Sequence, residues 1–368
     1  MAVKSIQSVA VRFWGAVVIA LIVGGLVSTA APAGAQGAVI VRPGQSIQDA
    51  VDAASPGTTI IVRPGVYAEH VTITTDGIRL IGQRGATVVP PAEDPPSACS
   101  FGGESTDGIC AIGELDFPDP EGPPVVTDPV SDVTVKGFTV KGFEGVGILF
   151  IGAENPVVTH NRTRDNEEYG IARFISTGGK IVSNQASGSE EAGVYVGDSP
   201  NADVHIAANE TFGNLFGFFL RDAANGHLAG NRSHGNCLGA LVLNTGPNIA
   251  GNWTFTGNRI SKNNKFCPAN EEEDTPPLSG LGIVIASGAD NTLKGNHITN
   301  NVPSGDSAFT GGVVVINGGD PGANPPSGNL VQANVIRGNQ PDIFWDESGN
   351  GNIFRANHCD TSVPDGLC

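Results

Sequence analysis

HLAGNRSHGNCLGALVLN, residues His227 to Asn244, places two asparagines five apart, Asn231 and Asn236, then Gly239 and a short apolar run. The first of these asparagines aligns with Asn161, Asn184, Asn209, Asn258, Asn296, Asn334 and Asn357. Five residues after it stand Asn166, Asn214, Asn236, Asn263, Asn301 and Asn339, with Ser189 and Ser362 in the other two repeats. Gly170, Gly193, Gly217, Gly239, Gly282 and Gly312 open the apolar run that follows. A fixed self-similarity of 20-odd residues marks stacked repeats rather than two independent domains. Two longer gaps read as the same unit carrying inserted loops.

Each unit alternates at period two. Three residues before the leading Asn come Val158, Ile181, Ile206, Leu228, Phe255, Leu293, Val331 and Phe354. Two residues after it come Thr163, Ala186, Thr211, Ser233, Ile260, Ile298 and Ile336. Past the Gly, pairs such as Val194/Val196, Phe218/Leu220 and Ile283/Ile285 also face inward. These are very short strands with one apolar face. None can bury that face alone, so coils must stack at about 4.8 Å, like residue over like. An inward Asn at the turn then bonds to the coils above and below. The fold expected is all-β, a right-handed parallel β-helix of about ten coils, in one domain over residues 36–368.

Open ends of such a stack need covering. Ser46 reads as a helix N-cap with Asp49 three residues on, and Ile47, Ala50, Val51 and Ala54 form one apolar face. This short helix is expected to plug the start, before a first strand at Thr59 to Val62. CDTSVPDGLC, Cys359 to Cys368, is expected to seal the other end.

Residues 1–35 carry Lys4 and Arg12, an apolar run from Phe13 to Val27, and Ala33-Gly34-Ala35 before Gln36. That order is a secretory signal peptide, with an uncleaved anchor as the alternative. The run is about 15 residues, short of the roughly 20 that span hydrocarbon. A secreted chain, monomeric and with no further membrane span, is expected. Removing Lys4 and Arg12 from 20 basic residues leaves 18 against 37 acidic ones. Such an excess argues against nucleic acid and favours cations, or acidic polymers met through a bridging cation or local basic patch. Six cysteines in an exported chain argue for disulfides, and neighbouring couples are expected: Cys99/Cys110, Cys237/Cys267 and Cys359/Cys368.

With Ser46–Ala54, TTIIVRPGVY at Thr58–Tyr67 and the repeating Asn in view, the chain resembles the parallel β-helix repeat superfamily. That group includes pectate lyases, polygalacturonases, alginate-modifying epimerases and nitrous-oxide reductase maturation accessory proteins. The nearest likeness is to exported actinobacterial right-handed β-helix proteins of unassigned activity. The resemblance implies a groove along the outer face of the strand following the Gly. Outward residues there run from Leu149 through Tyr195, Phe219 and Leu241 to Phe344, an apolar stripe. Tyr195 and Phe219 are the candidate sugar-stacking platforms. The alternative is that the inserts at 90–129 and 264–281 lie over them.

Arg221 is the base on this face, and Asp198 and Asp222 stack at its strand ends. In a lyase the carboxylates, with Glu190 and Glu191 nearby, would hold Ca²⁺ and Arg221 would take the proton beside a uronate carboxyl. Asp198 and Asp222 could instead act as the carboxylate pair of a glycoside hydrolase. The plainer reading is that Asp favours turns for local reasons. His205 and His227 share one outward column, but two ligands make no metal site. The sole methionine, Met1, leaves no thioether set for copper. The sequons at Asn161, Asn209 and Asn231 use inward asparagines and are by-products of the repeat. The expected role is handling extracellular or cell-wall polysaccharide, as lyase or hydrolase. The competing class is a non-catalytic module binding glycan or protein.

Overall fold

A computed structural model describes residues 38–93, 99, 106–118, 124–246, 250–270, 275–318 and 322–368. The expected signal peptide and the acidic run Glu271–Asp274 lie outside the described residues. Parallel strands stack into three faces of one right-handed β-helix, as the repeat required. Sheet I holds the strands before the leading Asn, for example Lys180–Val182 paired in register with Val204–Ala207. Sheet II holds the ten strands after it, from Gly65–Ala68 to Val335–Arg337. Sheet III holds those after the Gly, such as Leu238–Leu243. One strand, Phe216–Ala229, turns the corner from sheet III into sheet I without a break.

The inward columns meet in a single core running the length of the stack, from Ile47 and Ile60 to Ile336 and Ile343, all 0% exposed. Between sheets I and II the leading asparagines form a continuous ladder. Asn231 accepts from Asn209 at its oxygen and donates its amide to Asn258 at 3.0 Å and to the Ile206 carbonyl at 2.8 Å. Every polar atom of this buried amide is used, which is why Asn tolerates the core position. A second ladder runs Asn214, Asn236, Asn263, Asn301 and Asn339 and ends on Asp342, not on Ser362. Asp342 also accepts from the Asp360 amide, tying the last coil down.

A third ladder, Asn291, Asn329 and Asn352, lies at the corner between sheets III and I. It was not anticipated, although each member precedes a first-ladder asparagine by five residues. Five is also the spacing between the first two ladders, so the sequence carried a signal.

Helix Ile47–Asp52 covers the start. Ser46 accepts from Asp49 N as expected, and Glu69 accepts from Ser46 Oγ, Ile47 N and Gln48 N at 2.7 to 3.0 Å. A carboxylate at a helix N-terminus satisfies amides that the helix leaves open. The first strand is not Thr59–Val62: Val39–Val41 precedes the helix and pairs beside it. At the far end Ser362–Val363 adds to sheet III, and Cys359 and Leu367 pack on the core. All three expected disulfides are present. No described helix is long and apolar enough to cross a membrane.

One inward position breaks the apolar pattern. Arg173 stands in register between Phe150 and Val196 and is 2% exposed. Its guanidinium donates to the carbonyls of Gly178 at 2.7 Å and Ala202 at 3.5 Å. Burial lowers its pKa to about 10, with the Asp203 charge opposing.

Candidate functional site

The outward stripe of sheet III is sealed. Tyr195 and Phe219 are 2% and 3% exposed and belong to a second hydrophobic cluster with Leu149, Leu241, Val284 and Val314. Cys99, Cys110, Cys237, Cys267 and Leu278 are in the same cluster, so the disulfide-bearing inserts supply its cover. Tyr195 packs edge-on to Phe219 at 5.2 Å and against Tyr169 at 4.5 Å. The two rings are therefore not open stacking platforms. A bare aromatic column of this length would expose a large apolar patch, and the inserts remove it from water.

Chemistry gathers where the stripe ends. Arg221 follows Phe219 outward on the same strand, in register with Gly197 and Leu243 on the neighbouring coils. Gly197 is required there, since an added Cβ would meet the Tyr195 hydroxyl. Arg221 Nε lies 3.5 Å from Asp222 Oδ2, and their side chains are 18% and 9% exposed. Asp222 in turn accepts from the Thr245 amide at 2.8 Å and its hydroxyl at 2.6 Å.

Burial alone would lower the Arg221 pKa. The Tyr195 phenol, Asp222, Asp198 and Tyr169 outweigh it, and the guanidinium is held above its ordinary value. A general base needs the opposite shift. Arg221 is placed to be a fixed cation. Burial holds both Tyr169 and Tyr195 well above the phenol range, so both stay neutral. Asp198 keeps an exposed surface, yet the protein around its carboxyl raises its pKa. Arg221 opposes that shift and Asp222 adds to it.

Asp198 and Asp222 occupy a corner with a conformational demand. Their φ values are +50° and +48°, and Ile175, Ser287 and Glu347 at the corresponding exits are also left-handed. Asp adopts that region more readily than most residues, so local backbone geometry accounts for the stacked pair.

The expected Ca²⁺ set does not converge. Glu191 precedes strand Ala192–Ser199, whereas Asp198 is near its end, roughly 20 Å along an extended strand. Both Asp222 oxygens are engaged by Thr245. Among the described residues no group of three or more His, Cys, Asp or Glu is placed to hold a metal ion. His205 and His227 do stack in register, with Thr254 next in the column.

A narrow cleft opens beside Arg221. Thr245 and Arg221 mark one end, Glu191 the other, and Phe216, Leu243, Pro276 and Phe309 contribute apolar walls. It has room for a small polar group, not for a sugar ring. Sequence reasoning missed Thr245 and Tyr169. Thr245 sits outside the repeat columns and left no signal. Tyr169 directly precedes Gly170, a place where a lone aromatic could have been noticed.

The fold is shared with solved structures of low identity. The A-module of mannuronan C-5 epimerase AlgE6 of Azotobacter vinelandii superposes with a TM-score of 0.57 at 16% identity. It covers 86% of this chain and 85% of that one. DFA-IIIase from Arthrobacter chlorophenolicus A6 gives 0.55 at 16%, covering 83% and 87%. PfbA, a surface adhesin of Streptococcus pneumoniae, gives 0.52 at 12%, covering 86% and 87%. At these identities the likeness shows the right-handed β-helix and nothing finer. No curated protein matches the chain. A family model described as periplasmic copper-binding protein (NosD) matches residues 131–319, just over half of the 368 residues, and the chain belongs to that family.

Proposed function

We propose that the protein is exported and recognises an acidic extracellular polysaccharide, with Arg221 reading a sugar carboxylate at the mouth of the cleft. The observation that carries this reading is a guanidinium kept cationic, oriented by Asp222 and walled by apolar side chains, in a chain of net charge −17. A fork of N–H donors suits a carboxylate, and an apolar wall strengthens the contact. With the stripe sealed, a long groove along sheet III is not part of the proposal. Recognition is of one carboxylate or a chain end. The three disulfides fit an oxidising compartment, and the likeness to a mannuronan C-5 epimerase supports a carbohydrate ligand.

A second reading, an enzyme acting on the same polymer, is favoured by the raised pKa of Asp198. A carboxyl that keeps its proton to higher pH suits a general acid, with Asp222 on the next coil as the second carboxylate. Ca²⁺ enters this reading only if it displaces Thr245 from Asp222.

The family's description names copper, and the residues here do not fit that ion. All six cysteines are in disulfides, the only methionine is Met1, and His205 and His227 have no third ligand among the described residues. No step is assigned to copper.

The test is calorimetric titration of the protein with trigalacturonate and with its methyl ester. Binding of the acid alone is expected, lost in Arg221→Gln and partly kept in Arg221→Lys. Equal binding of the ester, or none of either, overturns the proposal. New reducing ends or unsaturated-uronide absorbance in the same samples, with and without Ca²⁺, decide for the enzymatic reading.

A further inference from the structure

The outer face of sheet II carries a charge opposite to the rest of the chain. Two outward columns run along it. In one, Arg162, Gln185, Glu210, Arg232, Arg259 and His297 stand on successive coils. In the other, Lys141 and Arg164 lead to Ser187, Phe212 and His234, and Arg337 lies further along. Lys141, Arg162, Arg164, Arg232, Arg259 and Arg337 are all exposed. From Thr139 to Arg337 the strands of this face contain a single carboxylate, Glu210.

That carboxylate is already neutralised. Glu210 accepts from Gln185 at 2.9 Å, lies 3.2 Å from His234 Nε2 and 3.4 Å from Arg232, and its pKa is lowered, chiefly by the Gln185 bond. Arg162, Arg164 and Arg259 have no ion-pair partner among the described residues. Arg259 stands directly over Arg232, a like-charge pairing that disfavours the stack. At the corner that borders the face stand Asp165 and, four coils on, Lys262, with Glu167, Glu168, Glu190 and Glu191 in the turns beyond. Arg232 pairs with Glu210 and Arg337 lies 3.5 Å from Asp360, but Arg162, Arg164 and Arg259 have no such role in the fold among the described residues, and a net charge of −17 makes their gathering on one face more pointed.

We propose that this face is a docking track for a linear, carboxylated polysaccharide. The proposal rests on the acidic-glycan reading above and adds a surface remote from the Arg221 cleft. Cations gather in two groups, Lys141/Arg162/Arg164 and Arg232/Arg259, three coils or roughly 14 Å apart along a face three residues wide, which suits one extended chain. Guanidinium forks match carboxylates, and the stacked rings of Phe212 and His234, 5.3 Å apart and 5° from parallel, add an apolar step between them. Disulfides place the chain where the accessible polyanions are glycans rather than nucleic acids.

The test compares long polygalacturonate, its methyl ester and duplex DNA as ligands at low and high salt. The full protein should bind polygalacturonate and not the ester, and salt should weaken binding. R162Q/R164Q/R232Q/R259Q should raise the dissociation constant at least about tenfold at an unchanged melting midpoint. Should that variant fail to fold, R162Q/R164Q alone tests the same face. The face variants should keep the trigalacturonate binding that Arg221→Gln loses, so the two surfaces are read separately. Unaltered polymer affinity in the folded face variants overturns the track, even if trigalacturonate still reports Arg221. Binding of DNA without polygalacturonate overturns it too. Absence of trigalacturonate binding to the unaltered protein, with polygalacturonate still bound through the face, overturns only the Arg221 reading.

Discussion

Thr245 donates both its amide and its hydroxyl to the carboxylate of Asp222 on the preceding coil, at 2.8 and 2.6 Å. This clamp orders the Asp222 side chain and, through it, Arg221.

Thr245→Val keeps the shape and removes the hydroxyl donor, leaving Asp222 Oδ2 with Arg221 alone. Stability should fall by about 1–2 kcal/mol, and Thr245→Ser should restore most of it. Urea midpoints of the three proteins check this.

Asn258 accepts from Asn231 N and Nδ2 and donates to the Leu228 carbonyl, all in the core. Asn258→Ala strands those groups together, so a loss of at least ~3 kcal/mol is expected, large for one small side chain. Thermal unfolding measures it. The sequon asparagines Asn161, Asn209 and Asn231 are 1–2% exposed in the same ladder. Secretion from a glycosylating host should therefore leave them unmodified, and an endoglycosidase should not shift the protein on a gel.

The folded pKa of Asp198 is raised, so the folded state binds its proton more readily than the unfolded chain does. Stability from this group is lowest above the raised pKa and recovers as pH falls towards 3.8. Asp198→Asn removes the charge and keeps a side chain that accepts φ +50°. It should stabilise at pH 7 by less than about 1 kcal/mol, since the group is exposed, and do nothing below the carboxylate range. Melting midpoints across pH test the sign.

Cys237–Cys267 spans 30 residues and pins an insert over the stripe. Replacing both by Ser should cost about 3–4 kcal/mol through the freed unfolded chain. Leu241 and Leu278 should then become reachable to a hydrophobic dye, while the Cys359/Cys368 pair replaced alone should leave the stripe covered.

The ladder columns were legible because stacking forces like residues into register: Val158 to Phe354, the paired asparagines and the period-two strands all follow from sequence spacing alone. Ser46 and Glu69 show the limit. The cap at Ser46 is local and readable, while the carboxylate that reinforces it comes from 23 residues away. Arg173 broke the inward pattern because backbone carbonyls at a corner could take its donors, a pairing no local rule announces.

At the candidate site the same division holds. Sequence alone determined the coil, its handed repeat, the inward and outward columns, the disulfide couples and the place of Arg221 beside Asp222. Burial of Tyr195 and Phe219, the cationic state of Arg221 and the failure of the four carboxylates to converge were decided only by tertiary structure. Column membership is set by a period of a few residues and repeats down the chain. Whether a column meets water depends on where long inserts fold back, and a side chain's charge state depends on neighbours from other coils. Neither leaves a period in the sequence.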